Sequence, residues 1–228
     1  ISLVGAKPVF ADIDPITYNI DPVSIESKIT TRTKAIIPVH IFGQPCAIPE
    51  IMDLAAKYNL FVIEDACQAI GAQVGDKPVG SFGHAACYSF FPTKNLGGYG
   101  DGGMLVTDDD NLAAAVRLLR VHGSSEKYHH RAVGYNSRLD EIQAAVLLTK
   151  LNYLAQWDQR RRELAAVYDR ELGSLVQVPR VADGVLSVYH LYVVRLAERD
   201  KLAQYLESQG IATGVYYPLP LHLQEVYK

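Results

Sequence analysis

Strand-sized apolar runs alternate with helix-sized segments through the first half of the chain, and few folds accommodate that alternation. Lys7–Asp12 reads as a short strand, and Asp21-Pro22 opens a helix with an aspartate cap and a proline in its first turn. Lys34–His40 is a second strand, left through the turn Phe42-Gly43-Gln44-Pro45. Pro49 starts a helix in which Ile51, Leu54, Ala55 and Tyr58 recur at helical spacing. Leu60–Ile63 is apolar throughout, as expected of a strand covered on both faces. Strands follow near Ala85–Phe90 and Gly103–Thr107. A helix from Asp109 to about Val121 then puts Leu112, Val116 and Leu119 on one face. The sum is a mostly parallel α/β sheet.

The texture changes after His122. Gly123–Asn136 is polar and irregular, and a helical pattern then runs from about Leu139 to about Leu172, with Leu147, Leu151 and Leu154 on one side. Ser187–Leu196 alternates as a strand, Lys201–Ser208 as a helix, and Ile211–Tyr216 as a further strand. This order divides the chain into residues 1–137, part of a large α/β domain, and residues 138–228, a connecting long helix and an incomplete small α+β domain. The chain opens with Ile1 directly inside a structured pattern, so a fragment of a longer protein is expected.

Composition excludes several classes. With 49% hydrophobic residues in 228, burying a core is no difficulty. A net charge of -3 gives no reason to expect nucleic acid or an anionic membrane as partner. No apolar run reaches membrane-spanning length, and Ile1–Val4 lacks the features of a signal peptide. Cys46, Cys67 and Cys87 have neither CxxC nor zinc spacing and read as small core residues in a reducing compartment, the cytoplasm. His129-His130 has no acidic partner at ligand spacing, so no metal is expected.

The chemistry centres on the stretch from Tyr88 to Gly103, where Lys94 lies between aromatics and five glycines. One reading is a Gly-rich turn with a surface lysine. A second is dinucleotide binding, since Gly98-x-Gly100-x-x-Gly103 matches G-x-G-x-x-G; that pattern needs a helix after it, and Gly103–Thr107 reads as a strand. The third is a cofactor-bearing lysine, because apolar walls disfavour an ammonium ion and a neutral amine attacks carbonyls. Asp65 closes the strand before it, where open α/β sheets place ligands; alone it reads as readily as a loop anchor or helix cap. A carboxylate and a Schiff-base lysine around one crevice suit pyridoxal phosphate, whose ring nitrogen the acid keeps protonated.

Several separated stretches carry a resemblance. They are Gly5–Asp14, Glu64-Asp65-Ala66-Cys67-Gln68-Ala69, Ser89-Phe90-x-x-x-Lys94, Gly97-x-x-Gly100-Asp101-Gly102-Gly103, and Gly134-Tyr135-Asn136-x-Arg138-x-x-x-x-Gln143-Ala144-Ala145. The chain resembles the DegT/StrS-type pyridoxal-phosphate-dependent nucleotide-sugar aminotransferases. The resemblance implies an α/β, aspartate-aminotransferase-like (fold type I) fold, with a small α+β C-terminal domain and a homodimer sharing its active sites. It implies transfer of an amino group, from glutamate, to the keto sugar of a nucleoside diphosphate. The Lys94 loop and the Tyr-His-His segment are closest to the branch that aminates C-3.

At matching positions the resemblance gives Lys94 the Schiff base and the proton shuttle, and Asp65 the pyridinium nitrogen. Gln68 is implied at the ring's phenolate oxygen, Ser89 at the phosphate, and Asn136 at the partner's phosphate. Read by type alone, Gln68 and Ser89 satisfy nearby backbone and Asn136 is a turn residue. Arg138, Tyr217 and His222 are implied near the nucleotide sugar, with Arg138 otherwise a brace for the dimer. Two rivals stand beside this: a pyridoxal-phosphate-dependent sugar dehydratase, in which histidine replaces the lysine, and a non-catalytic regulatory relative.

Overall fold

The computed structural model describes residues 1–227; Lys228, the last residue of the expected 138–228 segment, lies outside them. Helix α1 (Pro22–Lys28) starts where Asp21 accepts the N–H groups of Val23 and Ser24. Strand β1 (Ala35–Ile36) precedes α2 (Ile48–Tyr58), which buries Ile48, Ile51 and Ala55 and ends at Asn59 in the left-handed conformation. Strand β2 (Phe61–Asp65) and the short pair β3 (Gln73–Val74) and β4 (Lys77–Pro78) come next. Strands β5 (Ala85–Ser89) and β6 (Gly103–Val106) bracket the Lys94 stretch. Asp109 caps α3 (Asp110–Leu119), after which β7 (Ser124–Glu126) and β8 (His129–His130) form a hairpin. Helices α4 (Glu141–Leu151) and α5 (Leu154–Leu172), strand β9 (Val185–Leu186) and helix α6 (Arg199–Ser208) follow.

The main sheet has the order β1-β2-β5-β6. Pairings β1–β2 and β2–β5 are parallel, whereas β6 returns antiparallel to β5. Ile25, Ile36, Ile48, Ile51, Ala55, Leu60 and Val62 form one core cluster, packing α1 and α2 against β1 and β2. Full burial of a side chain such as Val62 or Ile51 contributes about 1.5–3 kcal/mol. A second cluster of Phe90, Leu96, Leu147 and Leu154 seats the Lys94 stretch on α4 and the start of α5.

Several expected elements differ. Lys7–Asp12 is not a strand; near it only Ile13 and Ile20 bridge, in the short loop before α1. Ser187–Leu196 does not form a ladder, because Val188 and Leu191 donate their N–H groups to Gly43 and Phe42 in the turn after β1. Ile211–Tyr216 is exposed and pairs with no strand among the described residues. The single helix expected from Leu139 to Leu172 is two. Asn152 turns its side-chain amide back onto Leu148 O (3.2 Å) and Thr149 O (3.4 Å), competing with helix propagation, and the chain turns before α5.

Candidate active site

Strand geometry sorts the side chains. Asp65 pairs in register with Cys87 across β2 and β5, and Ser89 lies two residues further along β5. Side chains alternate along a strand, so Asp65, Cys87 and Ser89 share one face while Glu64, Ala86 and Tyr88 share the other. Contacts agree: Glu64 accepts Gly80 N–H at 2.7 Å and Tyr88 Oη donates to Val79 O at 2.7 Å, both on the far face. Asp65 thus stands at the carboxyl end of a parallel strand. Its backbone N–H donates to Pro38 O (2.9 Å), its C=O accepts from His40 N–H (3.0 Å), and its Oδ1 accepts from Cys67 N–H (3.1 Å).

The segment carrying Lys94 is closed at both ends. Phe90 N–H donates to Gly102 O, Gly98 N–H to Phe90 O and Lys94 N–H to Phe91 O, at 2.8, 2.8 and 2.9 Å. Phe90 and Leu96 are buried beneath it, leaving the Lys94 side chain half-buried. A Cβ on Gly97 would stand 2.4 Å from Pro92 O, so the turn tolerates only glycine there. Gln143 of α4 accepts Tyr99 N–H at 2.8 Å, and Lys150 of the same helix donates to Gly97 O. The Cys67 thiol, pushed up to about 12 by burial and then by Asp65, feels Lys94 in the opposite sense.

Gln68 accepts Phe42 N–H at 2.7 Å through Oε1, which leaves its amide N–H2 as an outward donor; Nε2 meets Tyr217 Oη at 2.9 Å. Ser89 Oγ accepts Phe91 N–H at 3.3 Å and keeps its own hydrogen to donate. Asn136 and Arg138 are exposed and bonded to each other, Nε to Oδ1 at 3.2 Å, and among the described residues neither hydrogen bonds to Lys94, Asp65, Gln68 or Ser89. His222 lies against Phe10, ring centroids 6.1 Å apart, rather than against Tyr217. His129 and His130 form β8, and no group of three or more His, Cys, Asp or Glu among the described residues is placed to hold a metal ion.

Sequence reasoning missed a polar chain under the lysine. Asn95 donates from Nδ2 to Asp158 Oδ1 (2.8 Å) and to Val188 O (3.0 Å), so its Oδ1 is left to accept from His190 Nδ1 (3.3 Å). Burial, then Lys94 and Arg161, push the His190 imidazole down to about 4, so it is neutral at pH 7. Asn95, next to Lys94, was the available signal; nothing near His190 in sequence points back to it.

The residues present fit pyridoxal phosphate: an acid and a serine hydroxyl with a free hydrogen on one face at the carboxyl ends of β2 and β5, a lysine in the turn that leaves β5, and an amide donor three residues after the acid. Residues 1–228 match the description of the DegT/DnrJ/EryC1/StrS aminotransferase family throughout. The chain belongs to that family. Among DegT-type relatives, the "Pleiotropic regulatory protein" of Geobacillus stearothermophilus is 56% identical over all of this chain and 62% of its own length. The UDP-N-acetyl-3-dehydro-alpha-D-glucosamine 3-aminotransferase of Acidithiobacillus ferrooxidans is 49% identical over 98% of this chain and 61% of its own length. The chain thus spans about three fifths of the relatives it matches. The crystal structure of DesV from S. venezuelae, in complex with a ketimine intermediate, superposes with a TM-score of 0.96 at 43% identity, covering 99% of this chain and 62% of that one. The fold is that of the aspartate-aminotransferase-like (fold type I) enzymes, and members of the DegT family depend on pyridoxal phosphate. No helix among the described residues is long and apolar enough to cross a membrane.

Proposed function

We propose that the protein containing this chain is a pyridoxal-phosphate-dependent aminotransferase. It passes an amino group from an amino acid, glutamate, to C-3 of a keto sugar carried on a nucleoside diphosphate, for amino-sugar synthesis in the cytoplasm. The observation that supports the reading is that Asp65 closes β2 while Lys94 lies just past the end of β5, the parallel neighbour of β2, whose Ser89 is on the same face as Asp65. The relative from Acidithiobacillus ferrooxidans, named a 3-aminotransferase, supports the choice of carbon. Pyridoxal phosphate, when bound, supplies an electron sink for the carbon that gains or loses the amine.

Lys94 Nζ would hold the cofactor and would move the proton between substrate and cofactor, a role worth on the order of 10² to 10⁴ in rate. The Asp65 carboxylate would keep the proton on the ring nitrogen, Gln68 Nε2 would donate to the ring oxygen, and Ser89 Oγ would donate to the phosphate. Asn136 serves the phosphate of a partner copy, while Arg138, Tyr217 and His222 contact the nucleotide sugar. Exposed Tyr128, Val133, Tyr135 and Ile142 provide apolar surface around Asn136 and Arg138 for a homodimer to cover. Residues 1–137 contribute to the large domain and 138–228 to the connecting helices and small domain.

The intact protein should purify yellow, bleach with borohydride, and stay colourless as Lys94→Ala. It should also aminate at least one member of a panel of nucleotide-linked 3-keto sugars with glutamate as donor. A colourless wild type, or a yellow one inert on the whole panel, overturns the reading. A purely regulatory role has support in the name of the relative at 56% identity. The joint presence of Lys94, Asp65, Gln68 and Ser89 favours catalysis, and the same assay separates the two. A dehydratase is disfavoured because Lys94 stands where that branch has histidine.

A further inference from the structure

The face of β2 opposite Asp65 holds a carboxylate that the proposed chemistry does not use. Glu64 is 0% exposed. Its Oε2 accepts from His40 Nε2 (3.0 Å) and Gly80 N–H (2.7 Å), and its Oε1 from Phe82 N–H (2.8 Å) and Gly83 N–H (2.7 Å). Burial alone would raise this carboxyl, but the bonds from His40, Gly83 and Gly80 outweigh it and hold the group below its ordinary range. Cys46 N–H donates to His40 Nδ1 at 3.1 Å, which leaves the ring proton on Nε2, facing Glu64.

The same histidine reaches Asp65. His40 N–H donates to Asp65 O at 3.0 Å, next to the Asp65 N–H bond to Pro38 O at 2.9 Å. His40 therefore grips the end of β2 twice, by backbone at Asp65 and by side chain at Glu64. The turn from Gly80 to Gly83 has no slack on the other side. A Cβ on Gly80 would meet Tyr88 Oη at 2.0 Å, and one on Gly83 would meet Val62 O at 2.9 Å.

We propose that Glu64 is a positioning residue: by drawing His40 and the 80–83 turn onto the back of β2, it fixes the direction in which Asp65 leaves the strand toward the cofactor's ring nitrogen. This rests on the function proposed above. A carboxylate suits the task because four converging donors need two acceptor oxygens, whereas glutamine offers one oxygen and adds hydrogens that face other donors. Neighbouring strand residues point to opposite faces, so any twist of β2 that relaxed Glu64 would swing Asp65 as well.

The test uses the intact protein with pyridoxal phosphate as probe. Glu64→Gln removes the carboxylate, and His40→Asn removes one donor while leaving three. Well below their melting temperatures, both variants should bind the cofactor about tenfold or more weakly. Both should also shift the pH at which its bound visible absorbance changes. In the wild type, adding cofactor to apoprotein should slow amide exchange at Gly80, Phe82 and Gly83, because coupling between two sites is reciprocal. Lower melting temperatures with unchanged affinity and absorbance profile would overturn the proposal, leaving Glu64 as scaffold only. Exchange at those three amides that ignores the cofactor would overturn it too, and that measurement decides alone if the variants do not fold. A wild type that binds no cofactor sinks the parent function and this inference with it, whereas a yellow wild type with indifferent variants sinks the inference alone.

Discussion

Asn95 gives a side-chain hydrogen to Asp158 at 2.8 Å, which fastens the residue beside Lys94 to a carboxylate buried in α5. Burial pushes the Asp158 carboxyl above its ordinary value of 3.8, against the pull of Asn95 and of Arg161 and Arg162. A raised carboxyl means that the folded chain holds the proton more tightly than the unfolded one. The ionised form then costs stability above the folded pKa, and the cost vanishes below 3.8. Asp158→Asn keeps an acceptor for Asn95 without the charge. Its melting temperature should equal or exceed the wild type's at pH 7, with the gap closing as pH falls toward 4. Thermal melts across pH check this.

Asp65→Asn retains an oxygen for Cys67 N–H, so the fold should stand. In the role proposed for Asp65, the neutral side chain would no longer hold a proton on the ring nitrogen. Turnover should drop by roughly 10²-fold or more while cofactor stays bound, as measured by kcat beside visible absorbance.

The thiols should be sluggish. Burial, then Glu64, pushes Cys46 up to about 12, and burial, then Asp65, does the same for Cys67. At pH 8 the thiolate fraction of each is on the order of 10⁻⁴. Iodoacetamide should leave both unmodified in the native protein and label them on unfolding, as read by mass spectrometry.

Gly97→Ala should be severe for a methyl group. Backbone, which cannot step aside, lies 2.4 Å from the new Cβ. A loss of about 2 kcal/mol or more is expected, with reduced cofactor retention, measured by denaturant titration and absorbance.

The proposed sharing of sites between two copies predicts complementation. Lys94→Ala and Asn136→Ala homodimers should each be nearly inactive. Dissociated and reassociated together, they should recover part of the activity, because one site in a mixed dimer then has both residues intact. No recovery argues against a site spanning two copies.

What the residues disclosed depended on how locally each element is specified. Leu60–Ile63 was legible because a strand covered on both faces needs only a continuous apolar run, and Leu112, Val116 and Leu119 announced α3 by their helical spacing. Ser187–Leu196 carries an equally good alternation, yet its N–H groups are spent on Phe42 and Gly43, over 140 residues away. Asp65, Gln68, Ser89 and Lys94 lie within one span of thirty residues and could be grouped by motif. His190 meets Asn95 across 95 residues, so only the packing of α5 and the 187–190 segment reveals it. Glu64 adjoins Asp65 in the same motif, but its four donors come from turns whose composition carries no sign of a buried acid.

The antiparallel return of β6 along β5 has a mechanical consequence. Ser89 and Gly103 are directly paired, so the thirteen residues between them hang from a zipped hairpin base. The amine can then travel only as far as its own four-carbon tether swings. Any larger rearrangement on taking up the proposed substrate must come from less anchored segments, such as the exposed stretch from Ile211 to His222.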